Sequence, residues 1–193
     1  IAGLGNPGPK YETTRHNVGF LAIDRLIDRW KASGPVNKYQ GQIFQSTFEG
    51  DPVYLVKPQT FMNLSGQCLG PIFGFYRCKP EDLIVIHDEL ALPPMTLRLK
   101  TGGGTAGHNG LKSIDECIGK ANNNYHRIRI GIGHPSLSEK TARMSTADYV
   151  LQQFYDDELK NLDLRLDDVA DAVEAILRGQ IQAAMNKYHC SDK

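Results

Sequence analysis

Apolar and polar positions divide the chain into short strands and longer helices. Ile1 to Gly5 is an apolar run ending in glycine, the pattern of a buried strand. Phe20, Ile23, Ile27 and Trp30 recur at helical spacing, which predicts a helix from about Thr14 to Lys31. Tyr39 to Glu49 alternate, and "PVYLVKP" (52–58) forms a second strand, so residues 39–57 read as a hairpin. Residues 60–77 carry a helical pattern weakened by Gly66, Gly70, Pro71 and Gly74. "LIVIHDE" (83–89) is a buried strand that ends in polar residues, and "TLRLK" (96–100) alternates. Residues 109–119 read as a helix and "HRIRIGIG" (126–133) as another strand. Leu159, Leu162, Leu166, Val169, Val173, Ile176 and Leu177 then make an amphipathic stripe, which Gly179 ends before a short last helix.

Strands alternating with helices predict a single α/β domain over residues 1–193: a twisted mixed sheet flanked by helices, with a helical tail over about 157–189. The hairpin makes the sheet mixed. No internal repeat or low-complexity segment interrupts it. Ligands of such sheets bind beyond the carboxyl ends of the strands, where several polar clusters fall.

A chain of 193 residues can bury a sufficient core without disulfide or metal staples. No stretch is long and apolar enough to span a membrane, and no secretory signal is visible. Because the chain starts inside an apolar run and without Met, a few residues of the first strand are expected to precede Ile1. Cys68, Cys78, Cys117 and Cys190 have no C-x-x-C spacing and read as reduced thiols of a cytoplasmic protein, mostly filling core. The net charge of zero hides an asymmetry. Residues 96–146 hold eight Lys/Arg and three Asp/Glu, whereas residues from Leu151 onward hold five and nine. One polyanion-binding face would produce this, and so would ordinary surface scatter.

Two glycine motifs mislead. "GLGNPG" (3–8) has dinucleotide-binding spacing, but Pro7 and Pro9 flank Gly8, helical periodicity begins only after Thr13, and no acidic residue follows a second strand. "GGGTAGHNG" (102–110) has the glycine spacing of a phosphate loop, but His108 and Asn109 stand where Lys and Ser/Thr are needed. Neither a nicotinamide enzyme nor a nucleotide hydrolase fits.

Five polar clusters remain: Asn6; Tyr11 with Arg15, His16 and Asn17; Phe61, Met62 and Asn63; His87, Asp88 and Glu89; His108 and Asn109. His16, in the first turn of its helix, is expected to have a lowered pKa and to suit general-base work; a surface or capping histidine would read the same way. Asp88 follows an apolar run, so it sits at the core edge and needs a partner, either a histidine that it orients or a structural ion pair. No nucleophile is convincing, since Ser65 lacks the strand-turn-helix elbow and the cysteines lack a basic neighbour. Direct attack by water is therefore expected. A metal site from His16, His87, Asp88 and His108 stays open, without supporting spacing.

Taken together, "GLGNPG…Y…TRHNVG", "PQTFMNLSG", "HDELALPP", "GGGTAGHNGLKSI" and "HRIRIGIGHP" resemble bacterial-type peptidyl-tRNA hydrolase, in order and over nearly the whole chain. The resemblance implies a monomeric cytoplasmic esterase without metal or other cofactor. It would free peptide and tRNA from peptidyl-tRNA and so recycle tRNA from stalled translation. It implies that His16 activates water, Asp88 orients His16, and Asn6 separates N-blocked from free aminoacyl-tRNA. Asn63 and Asn109 would hold the peptide backbone and reacting carbonyl; Tyr11, Phe61, Met62 and His108 would line the substrate site. Lys100 and Arg129 match positions that contact tRNA phosphates, and residues 136–147 match a mobile lid. Thr105 and Ala106 depart from the Gly-His-Gly-Gly-His-Asn pattern of the family.

Overall fold

The computed structural model describes residues 1–189, so Cys190 lies outside the described residues. Its strands are β1 (Ala2–Gly3), β2 (Ser33–Lys38), β3 (Gly41–Phe48), β4 (Asp51–Pro58), β5 (Ile84–Glu89), β6 (Leu97–Thr101) and β7 (His126–Gly131). The helices are α1 (Val18–Trp30), α2 (Ser65–Phe75), α3 (Asn109–Ile118), α4 (Thr146–Val150), α5 (Asp156–Leu177) and α6 (Ile181–His189).

The strands form one sheet in the order β2-β3-β4-β1-β5-β7-β6. Its centre, β4-β1-β5-β7, is parallel; the β2-β3-β4 meander and edge strand β6 are antiparallel. The single domain with a mixed sheet is thus as the sequence predicts. The two-residue period of β5 divides the core. Ile84 and Ile86 face α1 and α5 with Leu97, Leu99, Ile128 and Ile130, while Val85 faces α2 and α3 with Ala2, Leu4 and Val56. Cover on both faces explains the continuous apolar run of β5.

Local differences have local causes. β1 is two residues long, not five. β2 is a strand that the sequence pattern does not predict: every residue of "SGPVNK" is exposed, so no alternation marks it, and backbone pairing with β3 makes it a strand. Arg15–Asn17 form a tight 3-10 turn, so α1 begins at Val18 rather than Thr14. Residues 60–77 split into a 3-10 turn at Met62–Leu64 and α2. Of the cysteines, Cys68 is buried, with its thiol pushed up to about 12, but Cys117 is exposed and fills no core.

Part of the acidic tail is absorbed internally. Arg25 bonds Asp163 and Asp167, and Arg29 bonds Asp171 and Glu174, joining α1 to α5. Helix α1 also lies directly on the backbone of β1. A Cβ built on Gly3 would stand 2.0 Å from the Gly19 carbonyl oxygen, and one on Gly19 would stand 2.4 Å from the Leu4 nitrogen. This contact seats the start of α1, with His16 just before it, over the end of β1. Gly3→Ala must push the helix off the strand and is expected to cost about 1–3 kcal/mol or more. Urea unfolding measures this, and an unchanged midpoint would contradict the close approach.

Candidate active site

The carboxyl ends of β1, β4, β5 and β7 all deliver polar side chains. At the end of β5, Asp88 is 3 % exposed, too buried to remain charged without partners. It has two. His16 Nδ1 lies 2.8 Å from Asp88 Oδ1, and His108 Nε2 lies 3.0 Å from the same oxygen.

Hydrogen bonding fixes the proton positions. His108 Nδ1 accepts from the amides of Gly110 and Leu111, at 3.1 and 3.4 Å, as the cap of α3. It therefore carries no proton, and neutral His108 donates from Nε2 to Asp88. His16 likewise donates from Nδ1 to Asp88, which leaves the lone pair of its Nε2 available. His16, Asp88 and His108 line a cavity of about 440 Å³ with Glu89, Asn109 and His134.

The pKa of His16 is raised above 6.5, contrary to the sequence expectation. Burial lowers it and is the largest single influence, but the charge and hydrogen bond of Asp88 together outweigh burial. Burial likewise pushes the Asp88 carboxyl up, yet the two histidines hold it well below 3.8. His87 differs. It is fully buried, donates from Nδ1 to the Asp88 carbonyl at 2.7 Å, and is driven down to about 3, chiefly by burial. Its ring packs against His108 at 4.8 Å, so it supports the site as a neutral group.

Asn6 is fixed from three sides. Its Oδ1 accepts from the Met62 amide at 2.8 Å. Its backbone N–H and C=O bond the Asn17 side chain at 2.8 and 2.9 Å. The Nδ2 group is what remains to offer a ligand. Met62 is itself buried, and a Cβ on Gly110 would stand 2.7 Å from its sulfur and 3.1 Å from the His108 ring. Contacts thus run from Asn6 through Met62 and Gly110 to His108, Asp88 and His16.

Beside this ring, Asn63 and Asn109 are exposed and carry no side-chain hydrogen bond among the described residues. Tyr11 and Phe61 meet edge to face at 6.5 Å. Ser65 is fully buried and donates to the Met62 carbonyl, so it is a helix-start residue and not a nucleophile. His16, Asp88 and His108 are also the one group of metal-ligand type among the described residues, with donor atoms within 4.8 Å of one another. Two hydrogen bonds to one carboxylate oxygen give the same spacing, so the distances alone do not call for an ion.

Lys100 and Arg129 project from the same face of the β6–β7 ribbon, where Lys100 pairs with Arg127 and Arg98 with Arg129. Arg129 also bonds Glu89 at 3.1 Å. The basic excess of residues 96–146 is therefore partly internal. Arg127 is 2 % exposed and donates to the Gly103 and Gly104 carbonyls, tying the glycine loop to the sheet. In that loop Ala106 has φ 48°, a left-handed conformation that favours glycine.

Sequence reading assigns Arg15 no role of its own. It is 2 % exposed, bonds Glu158 at 2.6 and 2.9 Å, and lies within about 5 Å of the Tyr149, Phe154 and Tyr155 rings. It anchors the α4–α5 connection beside His16. Residues 136–145 are turns with their own bonds, including Thr141 Oγ1 to the Pro135 carbonyl at 2.6 Å, and Thr146 and Ala147, which open α4, line the cavity. His134 is a further lining residue that sequence reading misses; its only signal is its place just after the strand pattern of residues 126–133.

The family model described as peptidyl-tRNA hydrolase matches residues 1–193. The peptidyl-tRNA hydrolases of Brucella ovis and Brucella suis biovar 1 are each 47 % identical over 189 residues, covering 97 % of this chain and 74 % of theirs. A crystal structure of peptidyl-tRNA hydrolase from Acinetobacter baumannii aligns with a TM-score of 0.87 at 40 % identity, covering 98 % of this chain and 93 % of that one. Sequence and fold agree over the whole length, and the chain belongs to the peptidyl-tRNA hydrolase family, hydrolases that act on an ester bond.

Proposed function

We propose that the site cleaves the ester between a peptide and the 3′-terminal ribose of tRNA by direct attack of water. The observation that carries this is the His16–Asp88 contact of 2.8 Å, which leaves Nε2 of a charge-supported histidine as the free base. Nε2 takes a proton as water adds to the ester carbonyl. Asp88 stabilises the resulting imidazolium, which gives the proton to the departing ribose oxygen. Asn63 and Asn109, whose amides are unengaged, hold the peptide backbone and donate to the oxyanion, a term of about 10²–10³-fold for one good donor. Tyr11, Phe61 and His108 border the substrate, while Met62 acts through its bond to Asn6.

Lys100 and Arg129 meet tRNA phosphates on the β6–β7 face, and residues 136–147 open and close over the cleft. The product tRNA returns to translation in the cytoplasm, and the protein acts as a monomer. Release of labelled peptide from N-acetylaminoacyl-tRNA in the presence of EDTA tests the reading. Undiminished release supports it; release abolished by EDTA would assign the His16, Asp88 and His108 cluster to a metal instead.

Every aminoacyl-tRNA carries the same ester, so selection must rest on the amide of the blocked residue. Asn6→Ala removes the one fixed polar group aimed at it. The preference for N-acetylated over free aminoacyl-tRNA is expected to fall about tenfold, the scale of one hydrogen bond. An unchanged ratio of kcat/KM values would transfer that role elsewhere.

A further inference from the structure

A second cavity, of about 430 Å³, has Asn6 in its lining and shares no lining residue with the first. Its lining includes Gly8, Glu12, Phe20, Gln42, Lys57 and Gln59. The catalytic residues do not line it. Two links connect it to the reaction. Asn6 itself lines it, and Asn17, which holds Asn6, follows His16 directly in sequence.

We propose that this cavity is a subsite for the residues of the peptide beyond the one esterified to tRNA. The inference rests on the hydrolase reading above. With the ester at His16 and the first peptide amide at Asn6, the chain continues away from tRNA, past Asn6. The second cavity is what it meets there.

The lining suits a substrate of arbitrary sequence. Gln42 and Gln59 present carboxamides, each a donor and an acceptor, matching the donor and acceptor that every peptide unit carries. Gln42 is half-buried and its side chain has no hydrogen bond among the described residues, and the side chain of Gln59 makes one weak bond, to the Lys57 carbonyl at 3.3 Å. The charge of Lys57 is already met by both oxygens of Asp24 at 2.8 Å, which leaves the exposed Glu12 as the one lining charge without an ion pair among the described residues. Phe20, under the Lys57 ammonium at 5.1 Å, adds an apolar floor that tolerates many side chains.

The test is kcat/KM on N-acetylaminoacyl-tRNA and on tripeptidyl-tRNA with the same esterified residue. For wild type the longer substrate is expected to be better by about tenfold, the worth of one or two net hydrogen bonds. In Gln42→Ala/Gln59→Ala the ratio is expected to fall below about threefold. In Gln42→Trp, which fills the cavity, it is expected to invert. Wild type equally fast on both substrates, or a ratio unmoved in both variants, would overturn the subsite alone. Wild type inactive on both would overturn the hydrolase reading and the subsite with it.

Discussion

His16→Ala is expected to lower kcat/KM for N-acetylaminoacyl-tRNA by about 10²–10⁴-fold, the usual contribution of a positioned general base. This corresponds to about 3–5 kcal/mol of transition-state stabilisation. The fall should lie in kcat. His16 meets the attacking water, while the peptide is held by Asn6, Asn63 and Asn109 and the tRNA by a separate face. The fold should survive, because Asp88 keeps His108 at 3.0 Å and the packing of α1 on β1 begins beyond the substituted side chain. Single-turnover peptide release, with thermal unfolding as a control, separates lost chemistry from lost structure. A loss under about threefold in a folded variant would remove His16 from the reaction.

The features legible in the sequence are those written in local pattern. Ile84 to Ile86 show a buried central strand because both faces are covered, and Asp88 shows its place because a carboxylate after such a run stands where ligands bind. The polar clusters after strand ends are visible for the same reason. What escapes depends on tertiary context. β2 has no buried residue and exists through pairing alone. Arg15 and Arg127 look like surface cations in a string of letters; only the fold shows one within three aromatic rings and the other bonded to two glycine-loop carbonyls. The charge count errs in the same way, since it includes Arg127 as surface and cannot see α1 neutralising α5. The pKa of His16 moves against expectation because the sequence offers a helix terminus, whereas the fold supplies a full negative charge at 2.8 Å. A carboxylate in contact outweighs a partial charge screened within one turn.

Asp88→Asn tests that last conclusion. The substitution nearly preserves shape. The carboxamide that replaces the Asp88 carboxylate can keep an oxygen where both His16 Nδ1 and His108 Nε2 donate, so the hydrogen bonds need not break. What disappears is the charge that supports the imidazolium formed as His16 takes a proton. We expect kcat to fall by about 10²–10⁴-fold, the scale on which a buried carboxylate contributes to a histidine base. The pH profile carries the sign. In wild type Asp88 raises the pKa of His16, so activity should fall on the acid side with a midpoint above 6.5. Without the carboxylate, burial is left to lower the pKa, and the acid limb should move to lower pH even as the maximal rate drops. A general loss of structure would reduce the rate without moving the limb in this direction. If the residual activity of a folded Asp88→Asn keeps its acid limb at the wild-type position, the titrating base is not the histidine that Asp88 holds.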